Sequence, residues 1–429
     1  MKKKRLTILQ VATINRPIRP DIGYSPIETV IYNIDKGLQS SGHRSIVACS
    51  AGSCVTGEHY VTVPHGLGGY LREDTTAGQA LVNTHLLKAL QRAKAGDIDI
   101  IHMHDVRMAE YLHDSMFNPM RGFAGARFDV PLPIVMTLHV PAESSCLKES
   151  HLPYYGAMDT MVAPHVYFVP ISEYQKRQYH GMANTCRPVH HGIEVKSYPS
   201  KNEPEKDSYL FTIGRITRIK GQDKAIKIAK KTGSRLIIAG CVQKKAEDQE
   251  FFESMKGSID LYVDIGKHPV NKDYYDRVMK PLLRCSKQII YIGELSGEQK
   301  KQWYLHARAT LFPIKWGEPF GLVLIESMAC GTPVLAFREG AVPEIVVDGE
   351  TGFVVDSLSG MIDAVGHIDS IDPRKCRRHV QNQFSITSMA NKYSELYHHI
   401  IEDYKIQDNC DRLLIEHLPK PVIHGDIAV

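Results

Sequence analysis

Short apolar runs alternate with longer amphipathic segments along both halves of the chain. This alternation is typical of parallel strands joined by helices, which build doubly wound sheets. The first half predicts strands at 5–13, 46–49, 98–103, 134–138 and 166–171, and helices at 26–41, 79–95 and from 173. The second half predicts strands at 209–213, 235–239, 289–292, 310–313 and 334–336, and helices at 221–232, 321–329 and 387–405. We therefore expect two α/β domains, each with a Rossmann-like sheet.

The first helix start has a local signature. Ser25 is placed as the N-cap, Pro26 occupies the first helical position, and Glu28 completes the pattern of a capping box. Gly42 is expected to end this helix.

A break in the alternation indicates the domain boundary. Residues 196–208 are polar, contain two prolines and have no periodicity, so we interpret them as a linker between domains at 1–195 and 209–386. The helix at 387–405 is expected to pack back on the first domain, with 406–429 as a loose tail. The densely charged residues 241–285 are interpreted as a helical excursion.

Composition excludes several classes of protein. The 429 residues include 52 lysines and arginines against 48 aspartates and glutamates, a balance too even for a polyanion-binding surface. No apolar run reaches the roughly 20 residues of a membrane helix, and the run at 6–11 is too short for a signal peptide. Nine cysteines without a CxxC pair disfavour a disulfide scaffold or a zinc module. We expect a soluble cytoplasmic protein with no nucleic-acid partner and no stable membrane insertion.

Ligands of doubly wound sheets bind beyond the carboxyl ends of the strands, so residues after strands are candidate site residues. Arg215 follows the strand at 209–213, and Lys220 precedes the next helix. Two cations so placed can converge on one anion, such as a diphosphate. The alternative is a pair of solvated surface cations, because basic residues are common in loops.

A second candidate is the glycine-containing loop 316–321, which opens a helix. The free amides of Phe320, Gly321 and Leu322, together with the helix dipole, favour a phosphate or a sugar hydroxyl. Glu326 lies in an otherwise apolar stretch of that helix and needs a partner, for which ribose hydroxyls are suitable. The alternative is a glutamate on the solvated face of a half-buried helix.

The second half contains FTIGRITRIKGQDKAI, RLIIAG, EPFGLVLIESMACGTPVLA and GAVPEIVVDGETGFVVD, and the first half contains IDIIHMHD, IVMTLHV, YFVPISEYQKRQY and VHHGIE. In these motifs the chain resembles the nucleotide-sugar glycosyltransferases of family four. The resemblance is specific over about residues 209–400 and weaker over 5–195. It implies the GT-B fold, in which two Rossmann-like domains face an interdomain cleft. The most similar branch is bacterial and includes a pteridine glucosyltransferase.

The resemblance also implies roles for individual residues. Its expected catalytic residues are His139, Glu318, Arg215 and Lys220. It implies a donor site made of the diphosphate ligands Arg215 and Lys220, the ribose ligand Glu326, the sugar ligands Glu318 and His139, the amides of Phe320, Gly321 and Leu322, and the backbone of Leu295 beside the base.

Two positions depart from the family pattern. Many members have Gly-Gly where this chain has Ser25-Pro26, and Pro26 has no N–H to donate, so Gly23 is assigned to donor binding instead. His191 stands where many relatives have asparagine.

A metal interpretation of HMHD is the alternative for His102, His104 and Asp105, because alternate residues of a strand face the same way. The family needs no bound metal, so neither a metal nor another cofactor is expected.

The implied reaction is a retaining transfer from a nucleotide-diphosphate sugar, with UDP favoured by family frequency, to a hydroxyl of a small soluble acceptor. An acceptor at the membrane surface is one alternative, since Val82, Leu86, Ala89 and Ala93 form an apolar stripe that a core face explains better. A non-catalytic partner subunit is another. A homodimer is left open.

Overall fold

The computed structural model describes residues 4–20, 25–68, 75–105, 131–141, 165–179, 182, 184–205 and 208–417. The strands of the first half are β1 (Thr7–Val11), β2 (Arg44–Ser50), β3 (Glu58–Val63), β4 (Ile100–Met103), β5 (Ile134–Thr137) and β6 (Val166–Val169). Those of the second half are β7 (Tyr209–Ile213), β8 (Leu236–Ala239), β9 (Leu261–Tyr262), β10 (Ile289–Tyr291), β11 (Ala307–Phe312), β12 (Val334–Phe337) and β13 (Gly352–Val355).

Within the described ranges these strands form two parallel sheets. The orders are β3-β2-β1-β4-β5-β6 and β13-β12-β11-β7-β8-β10-β9. In each sheet the first strand of that half lies in the interior, and the chain adds later strands on both of its sides. This is the doubly wound arrangement. The two sheets that the sequence predicts are therefore confirmed.

The helices connect and cover the sheets. They are α1 (Pro26–Ser40), α2 (Thr76–Ala93), α3 (Glu173–Gln178), α4 (Gln222–Thr232), α5 (Ala246–Lys256), α6 (Lys280–Arg284), α7 (Gly297–Leu305), α8 (Leu322–Ala329), α9 (Val342–Ile345), α10 (Leu358–His367), α11 (Pro373–Gln383) and α12 (Ile386–His417). Short 3₁₀ turns occur at Val195–Ser197, Arg218–Lys220 and Ile368–Ser370, and a π turn at Tyr275–Met279. Residues 241–285 thus contain the edge strand β9 as well as helical turns.

Helix α1 begins where the sequence predicts, but the predicted capping box is wrong. Ser25 makes no side-chain bond to the helix backbone. Its Oγ instead donates to Oε2 of Glu28 at 2.7 Å, and Thr13 Oγ1 donates to Oε1 at 3.0 Å. The buried Glu28 carboxylate therefore joins the loop after β1 to the helix. Gly42, with φ of +86°, follows the end of the helix as predicted.

The C-terminal helix α12 packs on the first sheet, although it follows the second in the chain. The hydroxyl of Tyr393 lies 2.8 Å from Thr137 Oγ1, and the hydroxyl of Tyr397 lies 2.7 Å from His102 Nδ1. Both tyrosines are fully buried. The helix thus joins the two halves of the chain.

The same helix is longer than predicted. It continues through residues 406–417, which the sequence predicts to be a tail, while 418–429 lie outside the described residues. The physical reason is that α12 contains no proline or glycine, and the first proline comes only at Pro419.

The apolar stripe of α2 is a core face. Leu86, Ala89 and Ala93 are buried against the first sheet, and Val82 packs against a small cluster formed by residues including Ile14. In the described part of the chain, no helix is both long and apolar enough to span a bilayer.

Candidate functional site

A cavity of about 340 Å³ lies between the two sheets. The first half lines it with the start of α1, and the second half with residues that follow β7, β8 and β10 and with α7 and α8. This is where doubly wound sheets bind ligands. Its lining includes Gly214, Leu295, Lys300, Tyr304, Leu322 and Glu326. Three residues assigned from the resemblance, Leu295, Leu322 and Glu326, therefore share one cavity.

Two glycines bring the carboxyl ends of β7 and β8 together. A Cβ atom on Gly240 would lie 1.8 Å from the carbonyl oxygen of Gly214, closer than any side chain can approach. Both glycines line the cavity. At these strand ends the cavity wall is consequently bare backbone, which a ligand can approach closely.

Lys220 and Glu318 form an ion pair, although neither residue belongs to the lining of this cavity. Lys220 Nζ donates to Glu318 Oε2 at 2.6 Å, and the indole N–H of Trp316 donates to the same oxygen at 3.3 Å. The ammonium group also lies 5.6 Å from the centre of the Trp316 ring. Both charged side chains are largely buried, so the solvated-cation alternative does not hold for Lys220.

Arg215 directly follows the cavity-lining Gly214. Its Nη1 donates to Gln243 Oε1 at 3.2 Å, and its carbonyl oxygen accepts from Gln222 Nε2 at 3.0 Å. The backbone of Arg215 is therefore fixed by the first residue of α4, while its guanidinium keeps further donors for an anion.

Glu326 is buried and accepts from three protein groups. Lys300 Nζ pairs with its Oε1 at 2.5 Å, and the hydroxyls of Tyr304 and Tyr198 donate to the carboxylate at 3.2 Å and 3.4 Å. Burial, and then the charge of Glu326, raises the pKa of both tyrosines well above the usual value, so they stay neutral donors. The alternative of a glutamate on a solvated helix face is thus wrong. The partners of the carboxylate are a lysine and two tyrosines of the protein itself.

The start of α8 is fixed by one glycine. Gly321 has φ of +93°, a conformation that side chains disfavour, and its carbonyl accepts from the amide of Leu324 at 3.0 Å. The amides of Gly321 and Leu322 therefore lie at the helix start, where helices leave donors unsatisfied, whereas Phe320 precedes the N-cap. Phe320 is buried, and its ring centre lies 5.0 Å from that of His191.

His139 lies in a group of imidazoles at the ends of β4 and β5. Its Nε2 lies 3.2 Å from Nδ1 of His104, and its ring stacks on His191 with centres 5.4 Å apart. Burial lowers the pKa of His139 to about 3, so the ring is neutral. His191, the departure from the family pattern, therefore lies directly beside the expected sugar ligand.

His102, the first histidine of HMHD, is hydrogen-bonded through both ring nitrogens. Its Nε2 lies 2.7 Å from Thr137 Oγ1 and its Nδ1 lies 2.7 Å from the Tyr397 hydroxyl. Among the residues that the structure describes, no group of three or more His, Cys, Asp or Glu side chains is arranged to hold a metal ion.

Sequence reasoning missed Lys300 and the two tyrosines that hold Glu326. A signal for part of this was present: Ser296 and Gln299 form a complete capping box at the start of α7, the helix that carries Lys300 and Tyr304. Gly23, assigned to donor binding, lies outside the described residues.

The chain is similar to several known proteins. Residues 196–371 match the family described as glycosyl transferases group 1. The chain is 25% identical to D-inositol 3-phosphate glycosyltransferase of Acidothermus cellulolyticus over 63% of this chain and 59% of that one. It is 31% identical to N-acetyl-alpha-D-glucosaminyl L-malate synthase of Bacillus anthracis over 20% of this chain and 25% of that one. The matches thus span less than two thirds of these curated relatives.

Solved structures give the same fold. Sucrose-phosphate synthase of Thermosynechococcus elongatus superposes with a TM-score of 0.64 at 17% identity, covering 93% of this chain and all of the other. HepE of Anabaena, solved in complex with UDP-glucose, gives 0.61 at 16%, covering 91% and 99%. Residues 196–371 are therefore similar to the glycosyl transferases group 1, and the chain has the two-domain GT-B fold.

Proposed function

We propose that this protein is a retaining glycosyltransferase that moves a sugar from a UDP-sugar to a hydroxyl of a small soluble acceptor. The observation that carries the proposal is the cavity between the two sheets, where the Glu326–Lys300 pair, the first residue of α8 and the bare ends of β7 and β8 converge. Such a cavity offers a carboxylate for hydroxyl groups and a helix start for an anion.

Two cations of the second half, Arg215 and Lys220, suit departure of a diphosphate. As the bond from the anomeric carbon to the phosphate oxygen breaks, negative charge grows on the diphosphate. We assign Arg215, Lys220 and the start of α8 to stabilising that charge. Because these cations supply the electrostatic stabilisation, we propose that transfer needs no metal ion.

Retention of configuration is assigned to attack from the face that the diphosphate leaves. The acceptor oxygen bonds to the anomeric carbon while the carbon–phosphate oxygen bond breaks, and the acceptor proton passes to the departing phosphate. Glu318 is held by Lys220 and Trp316, so we assign it to orienting the sugar and steadying positive charge rather than to covalent attack.

The donor and the acceptor class rest on similarity. UDP is favoured because the structural neighbour HepE was solved with UDP-glucose. A small polar acceptor is favoured because the two relatives are named for malate and inositol phosphate. The buried stripe of α2 also removes the feature that favoured a membrane-surface acceptor.

A thermal-shift screen of nucleotide sugars, followed by NMR of the product, tests the proposal. A bound donor stabilises the folded state by mass action, so the true donor should raise Tm more than its nucleotide alone. Slow hydrolysis of that donor without acceptor separates an enzyme from a non-catalytic subunit. An inverted anomer would overturn the mechanism, and full dependence on added metal after chelation would overturn the metal-free step.

A further inference from the structure

A line of hydrogen bonds crosses the first sheet and ends at His139. Gln10 Nε2 donates to Ser45 Oγ at 2.7 Å, and Gln10 Oε1 lies 3.2 Å from His104 Nε2. His104 Nδ1 in turn lies 3.2 Å from His139 Nε2. These residues belong to β2 and β1 and follow β4 and β5, four strands that are neighbours in the sheet.

The orientation of the Gln10 amide determines the direction of each hydrogen bond along this line. Since the amide nitrogen of Gln10 faces Ser45, its oxygen faces His104, and an oxygen can only accept. His104 therefore carries its proton on Nε2. A neutral imidazole has one N–H, so His104 Nδ1 accepts and His139 Nε2 donates. His139 is left with an unprotonated Nδ1.

Burial keeps both rings in the neutral form that this reasoning needs. Gln10 and Ser45 are fully buried and His104 is 1% exposed. Burial lowers the pKa of His104 well below its usual value, and the further causes are the neighbouring imidazoles of His102, His139 and His191. Burial and the neighbouring imidazoles thus all oppose the addition of a second proton to His104.

We infer that Ser45, Gln10 and His104 are positioning residues that fix His139 as the Nε2–H tautomer, so that its Nδ1 accepts a hydrogen bond from a hydroxyl of the transferred sugar. None of the hydrogen bonds among the described residues uses His139 Nδ1, and the side chain is partly exposed. The tautomer rests on the orientation of the Gln10 amide and on the burial of the two rings, whereas the contact to sugar rests on the proposed function.

The tautomer can be measured without any activity. In wild-type protein labelled with ¹⁵N-histidine, long-range ¹H–¹⁵N correlation should show the His139 proton on Nε2, with the signal assigned through its loss in His139→Gln. Replacing the amide in Gln10→Leu should let His139 populate both tautomers. His85, whose Nε2 faces the carbonyl of Ala12 at 2.9 Å, is an internal control that should keep its tautomer in every variant.

A proton on Nδ1 of His139 in the wild type would overturn the inference, because it would mean that the Gln10 amide is turned round. An unchanged tautomer in folded Gln10→Leu would overturn the role of Gln10. The wild-type measurement stands even if that variant fails to fold.

Kinetics tests the sugar contact separately. Gln10→Leu should lower kcat/KM for the donor about tenfold, the equivalent of one hydrogen bond. Donors that each lack one sugar hydroxyl identify the contact. The wild type should use one of them with a lower kcat/KM than the intact donor, and Gln10→Leu should use that one as well as the intact donor. Gln288→Leu, which removes a remote amide held by Ala229 and Ser234, is the control for general destabilisation and should retain wild-type kinetics.

The two proposals fail differently. A wild type with the Nε2–H tautomer that turns over no nucleotide sugar contradicts the proposed function alone. An active transferase with normal donor kinetics in Gln10→Leu contradicts the positioning role alone.

Discussion

Lys220 Nζ lies 2.6 Å from Glu318 Oε2, so the cation assigned to the donor diphosphate and the carboxylate assigned to the transferred sugar are in direct contact. The pair joins the turn before α4 to the loop before α8, and each side chain restrains the other. A donor bound in the cleft would place its diphosphate and its sugar on either side of this contact.

Glu318→Gln should abolish most transfer while leaving nucleotide binding intact. The amide keeps the shape and can still accept from Lys220, but the negative charge near the anomeric carbon is lost. We expect kcat to fall by about 10²–10³-fold, the usual effect of removing one electrostatic stabiliser. Turnover and calorimetry with UDP measure the two effects, and the exposed Glu350→Gln is the control. Lost UDP affinity with normal turnover would refute the assigned role.

Lys220→Met should weaken binding of UDP but not of uridine. A charge-assisted hydrogen bond contributes about 1.5–3 kcal/mol, and uridine has no phosphate to receive one. Calorimetric titration with both ligands gives the comparison. Lys227→Met, on the exposed face of α4, should change neither affinity. Equal losses for UDP and uridine would show that the variant disturbs the fold of the site instead.

Lys300→Met should destabilise the protein, because it leaves the Glu326 carboxylate, 6% exposed, without its cation. We expect a loss of about 2 kcal/mol or more in the free energy of unfolding, measured with urea. The double variant with Glu326→Leu should lose less than the sum of the single variants. Glu253→Ala, which breaks an exposed pair with Lys256, should cost under about 1 kcal/mol. Strict additivity would mean that Lys300 and Glu326 do not interact.

Stability should fall as the pH drops below about 6.5. His102, His104, His139 and His191 stay neutral in the folded protein because burial lowers the pKa of each, whereas the unfolded chain takes up protons at its ordinary pKa. The unfolded state then binds more protons, and each histidine contributes up to about 1.4 kcal/mol per pH unit.

Urea unfolding at pH 7.5 and 5.5 measures this dependence. The slope should flatten in His104→Gln and remain unchanged in His399→Gln, which alters a histidine whose side chain is 71% exposed. Equal stability at both pH values would contradict the account of a buried neutral cluster.

Burial decides how much of the fold the sequence predicts. The strand β7 has the bounds that its apolar run predicts, because all but its last residue is buried. The edge strand β3 was not predicted, since it begins with the exposed Glu58 and His59 and carries no apolar run. The sequence predicts too short an α12, because polar residues without proline or glycine are compatible with a helix as well as with a tail.

The residues of the site also differ in how far the sequence predicts them. Motif resemblance identifies Glu326, which lies in the cavity, but it does not identify Lys300, which reaches that carboxylate from a different helix. Likewise, Gln10 and His104 are 94 positions apart and meet only because β1 and β4 are neighbours in the sheet. Such contacts follow from topology, so local patterns cannot reveal them.

The most direct test of the account is a crystal structure of the protein with an intact UDP-sugar. We expect the diphosphate against Arg215, Lys220 and the start of α8, the ribose hydroxyls on Glu326, and the sugar beside Glu318 and His139. A donor bound elsewhere, with the side chains of Arg215, Lys220, Glu318 and Glu326 directed away from it, would contradict the account.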